Sequence, residues 1–240
     1  MKLQHTSLAL VALLAAGFLA SATLAQTAAP DASSPAAEPE APALADIDLP
    51  PPPTGGMPIF DAMAARASAR DFPGELTAEQ LSAIFWAASG INRPAEAKLT
   101  TPTAMNQQEI IPYAVTANGT YRYEPTSHRL VACRAGDFRA QLGMQPFAPG
   151  AALIVVFVLD KTRLRGWGSP DFEAMQARFL SMAYADMGFQ AQDVYLAAAA
   201  NFLPSRYVAS IDPALAATAL QLPSSSTVLG AQLVGAPPAP

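Results

Sequence analysis

The chain has 240 residues, with 14 Lys and Arg against 19 Asp and Glu, a formal net charge of −5 and a single cysteine. That balance disfavours non-specific binding to nucleic acid or to an anionic membrane. Cys133 alone cannot form an intrachain disulfide, and outside the leader described next His128 is the sole histidine, so a histidine-rich metal site or a Ser-His-Asp triad has little to stand on.

Lys2 and His5 precede an apolar run from Leu8 to Ala20, and Ala20-Ser21-Ala22 and Thr23-Leu24-Ala25 both offer small residues for cleavage. The run is too short and wrongly flanked for a membrane span, so residues 1–25 read as a secretory signal peptide cut after Ala25. Residues 26–56 are rich in Ala, Pro, Ser and Glu and end in Pro50-Pro-Pro-Pro53 and Gly55-Gly56. Such a stretch has too little apolar surface to fold and is expected to be a disordered tether. Residues 57–240 form one domain on this reading, held in a periplasmic or otherwise exported location without any integral membrane segment.

Pro58 to Arg66 reads as a short helix with Ile59, Phe60, Met63 and Ala64 apolar, delivering Arg66-Ala-Ser68-Ala-Arg70-Asp-Phe72. Thr77-Ala-Glu79-Gln80 is a capping-box start to a second helix carrying Leu81, Ile84, Phe85 and Ala88, which Gly90 closes. The loop Ile91 to Gln108 holds the polar run Thr101-Pro102-Thr103-Ala-Met-Asn106-Gln-Gln108. Ile110–Ala117, Asn118-Gly119 and Thr120–Glu124 form a β-hairpin, followed by a third strand over Arg129–Arg134 in which Cys133 is a small core residue. Asp137–Leu142 is a short helical piece, and Ala151–Leu159 is a strand buried on both faces. Asp171–Phe202 is a long helix or a pair broken at Gly188. Asp212 caps a short helix over Pro213–Leu220, and Val228–Val234 is the last strand. Helices and strands mix without a βαβ rhythm, so the fold class is α+β.

Two segments carry chemistry. Arg66, Ser68 and Arg70 place two guanidinium forks and a hydroxyl together, and such forks hold phosphate bidentately. Asn106 and Gln108 offer amides that read the edge of a planar heterocycle, beside the rigid Pro102. Together they point to a phosphorylated ring cofactor, although Arg-x-Ser-x-Arg alone also reads as a solvated helix end. Asp186, Gln190 and Gln192 on the long helix offer further polar contacts or ordinary helix-surface and interface hydrogen bonds. Arg93 either closes a helix-stop loop or lines the site.

The ordered series Arg66-x-Ser68-x-Arg70-Asp-Phe72, Trp86-Ala-Ala-Ser-Gly90-Ile-Asn92-Arg93-Pro94, Pro102-Thr103-Ala-Met-Asn106-Gln-Gln108-Glu109 and Asp186-Met-Gly188-Phe-Gln-Ala-Gln192-Asp-Val-Tyr195-Leu196 resembles the nitroreductase superfamily of flavoproteins. The likeness spans about residues 60–235 and is greatest to the compact branch akin to SagB-type oxidases and dehydrogenases. The resemblance implies a mixed or antiparallel central sheet flanked by helices and an obligate-type homodimer with FMN at the interface. It implies that Arg66 and Ser68 meet the phosphate and ribityl end, that Arg70 faces the pyrimidine edge, and that Pro102, Thr103, Asn106 and Gln108 lie along the ring and ribityl chain. Arg206 falls in the segment that covers one flavin face. The implied activity is an exported FMN-dependent oxidoreductase passing hydride or electrons through flavin N5 between a small-molecule donor and acceptor. The alternatives are a binding module that has lost FMN and another small-molecule enzyme on the same scaffold. Relatives have serine at the Thr103 position and a cation after the final strand, where this chain reads Val234-Gly-Ala-Pro-Pro-Ala-Pro240.

Overall fold

The computed structural model describes residues 43–236. In chain order they form β1 (Ile47–Asp48), α1 (Ile59–Ala65), α2 (Ala78–Ser89), β2 (Ile91–Arg93), β3 (Lys98–Leu99), β4 (Ile110–Val115), β5 (Gly119–Glu124), β6 (Arg129–Ala135), β7 (Leu153–Asp160), α3 (Pro170–Ala200), β8 (Ser205–Val208), α4 (Pro213–Ala219) and β9 (Ser226–Val234). The expected signal peptide and the tether up to residue 42 lie outside the described residues.

The apolar run in β7 has no polar alternation because both of its faces are covered. Leu153, Val155, Phe157 and Leu159 enter one core with α2 and α3, and Ile154, Val156 and Val158 enter a second with α4. Every pairing within the main sheet is antiparallel, in the order β1-β6-β5-β4-β7-β9-β8, with Tyr113 opposite Val156 and Val156 opposite Ala231. The fold is therefore α+β. Double burial arises here from helices on both sides rather than from parallel pairing.

Local rules account for most ends. Thr77 Oγ1 accepts from Gln80 N at 3.2 Å while Gln80 Oε1 accepts from Thr77 N at 2.9 Å, the reciprocal capping box. Asp212 Oδ1 accepts from Ala214 N and Leu215 N, with Pro213 at the first helical position. Gly90 ends α2 for a different reason than expected. Its backbone is extended, and a Cβ there would sit 2.3 Å from Trp86 Cδ1, so the position is kept small by the indole.

Three expectations change. The long segment is one helix of 31 residues, and Gly188 does not break it, since Met187, Ala191 and Val194 bury the same face on either side. The Asp137–Leu142 piece shrinks to a single 3₁₀ turn over Arg139–Gln141. The tether does not run to residue 56. Ile47 pairs with Leu130, Asp46 Oδ1 accepts from Ala132 N at 2.7 Å, Leu49 is buried, and Pro50 O accepts from Ser82 Oγ at 2.8 Å. Ile47 and Leu49 alternate with Asp46 and Asp48, a period-2 pattern that the surrounding proline composition masks.

Candidate functional site

The helix α1 stops at Arg66, and the next residues run extended along the open edge of β8. Ala69 N donates to Ser205 O at 3.0 Å, and Ser68 bridges Ser205 in parallel. Arg66 and Ser68 both meet Tyr195 of α3. The Arg66 guanidinium carbon lies 5.4 Å from the centre of its ring, and Ser68 Oγ lies 3.0 Å from its hydroxyl. Arg70 is exposed, and among the described residues neither Arg66 nor Arg70 is paired with a carboxylate. The alternating small residues Ala67 and Ala69 line a cavity of about 530 Å³ with Tyr195, Phe202, Leu203 and Ser205.

The second segment is a strained loop. Met105, Asn106 and Gln108 have φ of 55°, 54° and 53°, a left-handed backbone that side-chain-bearing residues seldom adopt. Four bonds fix it. Asp186 Oδ2 accepts from Ala104 N at 2.7 Å, and Thr103 Oγ1 accepts from Gln108 N at 3.1 Å. Arg163 Nη1 donates to Gln108 O at 3.0 Å, and Gln108 Nε2 donates to Ala97 O at 2.8 Å. Pro102 and Asn106 remain exposed, and the Asn106 amide has only a long 3.4 Å contact from Gln108 Nε2. Gln108 is thus committed to holding the loop, whereas Asn106 is free to meet a ligand.

Beneath the loop lies Glu109, wholly buried, with no donor to either carboxyl oxygen. Burial, with Asp186 adding to it, pushes its carboxyl up to about 7. Gln190 Nε2 donates to Ile110 O at 3.1 Å. Asp186 and Gln190 are therefore buried braces of this loop rather than helix-surface groups, while Gln192 is exposed. Sequence alone assigns no role to Glu109 or Tyr195. The signal available for Glu109 was an acid directly before the apolar strand β4.

The structure joins Arg66 with Ser68, and Thr103 with Asn106 and Gln108, and the cavity beside the first group is lined by none of the second. Their anchors on α3, Asp186 and Tyr195, are nine residues apart, roughly 13–14 Å along the axis. Arg206 belongs to neither group. Strand alternation turns it to the α4 face, where its guanidinium lies over Phe147 at 5.5 Å. Arg93 closes the β2–β3 ribbon through Leu99 O at 2.9 Å. The residues after β9 pass beside the first segment, Gly235 N donating to Pro204 O and Ala236 N to Pro73 O.

Elsewhere, Ser82 Oγ and His128 Nε2 lie 2.8 Å apart, with Tyr123 Oη at 2.8 Å from Nδ1. The Ser82 hydroxyl is buried and given to Pro50 O, so this contact is a structural relay and not a nucleophile. Cys133 packs against the second core, and burial raises its thiol.

The donor set of the two segments fits a phosphorylated flavin: uncommitted guanidinium forks and a hydroxyl on one, an exposed amide on the other. The model of the Nitroreductase family matches residues 63–236. A solved protein from Ralstonia eutropha JMP134 described as a nitroreductase is 28% identical, over 84% of this chain and 93% of that one, with a TM-score of 0.73. A nitroreductase-type protein from Desulfovibrio desulfuricans in complex with FMN shares the fold at 18% identity, over 77% and 89% of the two chains, with a TM-score of 0.52. The NADPH:FMN oxidoreductase of Vibrio harveyi complexed with NAD⁺ shares it at 21% identity, over 75% and 69%, with a TM-score of 0.53. No curated protein matches the chain. With an α+β antiparallel sheet flanked by helices and a family match across almost the whole described domain, this chain belongs to the nitroreductase family.

Proposed function

We propose that the chain is an FMN-dependent oxidoreductase that works as a homodimer outside the cytoplasm. The observation that carries this reading is the pair of uncommitted guanidinium groups, Arg66 and Arg70, on one extended segment beside Ser68. Arg66 and Ser68 are suited to a phosphate dianion, Arg70 to the pyrimidine edge, and Asn106 to the orientation of the ring. When bound, FMN supplies a ring that takes up hydride or single electrons, so the chain needs no strong acid or base of its own. Pro102 and Thr103 would flank the ring; Gln108 keeps the loop in shape.

The two half-sites are separate on one chain, which favours a site completed by a second copy. Large apolar side chains exposed on α1 and after α3 support that arrangement: Phe60 is 79% exposed and Phe202 74%. Export rests on the Leu8–Ala20 run, and the SagB-like branch on the Trp86–Pro94 stretch. A second reading, a dimeric binding module without flavin, is favoured by the uncharged Gly235 and Ala236, which take the place beside Pro73.

The test is the visible spectrum of the purified chain with and without added FMN, together with its sedimentation. Flavin bands that follow a stoichiometric dimer, and that are released on denaturation, support the enzyme reading and justify a screen of donors and acceptors. A colourless dimer that refuses FMN overturns it in favour of the binding module.

A further inference from the structure

We propose that Glu109 and Asp186 hold one proton between them, and that this shared proton latches the Thr103–Gln108 loop, making the two acids positioning residues for whatever the loop binds. What the loop binds rests on the flavin reading above; the latch itself does not.

Glu109 is 0% exposed and Asp186 3%, so neither carboxyl exchanges freely with water. Both Glu109 oxygens lack a donor from protein, a costly state for an ionised group in a buried position. Helix α3 brings Asp186 against it: Gln190 meets Ile110 O, the residue after Glu109, and Asp186, one turn earlier on the same face, meets Ala104 N on the other side. Two ionised carboxylates cannot share such a place, but one proton resolves it: Glu109 donates to Asp186, which keeps its charge. Asp186 then offers a charge-assisted acceptor to Ala104 N, the 2.7 Å bond at the start of the strained loop.

The other groups facing the pair do not replace that proton. Arg163, from the segment after β7, favours the ionised form of Glu109, but its Nη1 is given to Gln108 O and its Nε lies 3.6 Å from Asp160. Gln190 on α3 gives its Nε2 to Ile110 O, and neither Glu109 oxygen has it as a partner.

Burial and the neighbouring Asp186 raise the Glu109 carboxyl to about 7, so the latch is made in weak acid and released as pH rises through neutrality, when Glu109 ionises. The left-handed backbone at Met105, Asn106 and Gln108 makes the loop sensitive to that loss, because strained conformers persist only while their surroundings hold them.

Amide hydrogen exchange of the full chain, with no flavin added, tests the latch. Protection of the peptide spanning 103–108, corrected for the intrinsic rate, is expected to fall by roughly tenfold or more between about pH 6 and about pH 9, while a β7 peptide stays constant. Glu109→Gln supplies an amide donor to Asp186 at every pH and is expected to keep the loop protected throughout. Asp186→Ala is expected to leave it unprotected throughout. A wild-type loop whose protection does not change with pH overturns the proposal, as does a step that survives in Glu109→Gln. The wild-type series decides even if a variant fails to fold. A parallel FMN titration separates the two readings: a protection step in a chain that takes no FMN upholds the latch and counts against the cofactor.

Discussion

One phenol ties the long helix to the edge of the sheet: the Tyr195 hydroxyl lies 3.0 Å from Ser68 Oγ and accepts the backbone N–H of Tyr207 at 2.7 Å. Having accepted from Tyr207, it can still donate its own proton to Ser68 Oγ, an arrangement that leaves the serine proton for a ligand. Tyr195→Phe strands an edge-strand donor and is expected to cost about 1–3 kcal/mol in urea unfolding. Ser68→Ala leaves the Tyr207 bond intact and should cost clearly less. Equal losses in the two variants would show that Tyr207 does not depend on this phenol.

The flavin reading assigns Arg66 a charge-assisted contact to phosphate. Arg66→Ala is expected to weaken FMN by about 1.5–3 kcal/mol, one to two decades in Kd, by flavin fluorescence titration. Stability should fall by only about 0.5–1 kcal/mol, the loss of its stacking on the Tyr195 ring at a half-exposed site. Arg66→Lys should recover little affinity, because an ammonium lacks the planar fork. Arg206→Ala, on the α4 face, should leave FMN affinity unchanged. Equal retention by wild type and Arg66→Ala would remove Arg66 from the site.

Where a rule acts within a few residues, the chain was legible before its structure. The Thr77 box, the Asp212 cap with Pro213 and the β7 run fall where local chemistry puts them. The hairpin forms too, but Ala117 and Asn118 make its turn without positive φ, and Gly119 opens β5, kept small by Leu44 and the Arg134 carbonyl rather than by the turn. The misses have longer range. Strand β1 exists because Ile47 and Leu49 have an edge to cover, and that edge lies some eighty residues away on β6. Strand β8 is four residues long and needs β9 and Tyr195 to be a strand at all. Asp186 reads as a surface acid until Ala104, 82 positions earlier, is folded beneath it. For the same reason, motif residues could be named while their division of labour could not. Gln108 braces the loop, Asn106 is left open, and Arg206 faces away.

His128 gives the stability a defined pH dependence. Ser82 donates to Pro50 O, so it must accept from His128 Nε2, and Nδ1 then takes the Tyr123 hydroxyl proton. That network needs a neutral ring, and burial holds its pKa below the ordinary imidazole value. The unfolded chain therefore binds the proton more tightly than the folded one. Stability from this group is constant above about pH 6.5 and is lost as pH falls below it. The urea midpoint of wild type relative to that of His128→Asn, which tolerates the left-handed φ of 49° there, should decline from about pH 7.5 to about pH 5, the opposing gain from the Glu109 proton being common to both chains and cancelling in the difference. A difference between the two chains that stays constant over that window would show that folding leaves the affinity of the ring for its proton unchanged.

The last strand ends against the segment that carries the arginines. A Cβ at Gly235 would lie 2.4–2.6 Å from the backbone of Phe72, and that backbone is not free to move. Phe72 O accepts from Ala152 N at 3.1 Å, its side chain is buried in the second core, and Ala236 N bonds Pro73 O at 2.8 Å. Gly235→Ala is thus a test of packing and not of backbone freedom, with an expected cost of about 1–3 kcal/mol in urea unfolding. Because Phe72 follows Arg70 by two residues, the same change should shift the arginine segment and lower FMN affinity. A variant with normal stability would mean that the Phe72 backbone yields at little cost. One that loses stability but binds FMN as wild type does would separate the packing of this corner from the hold of Arg66 and Arg70 on the phosphate.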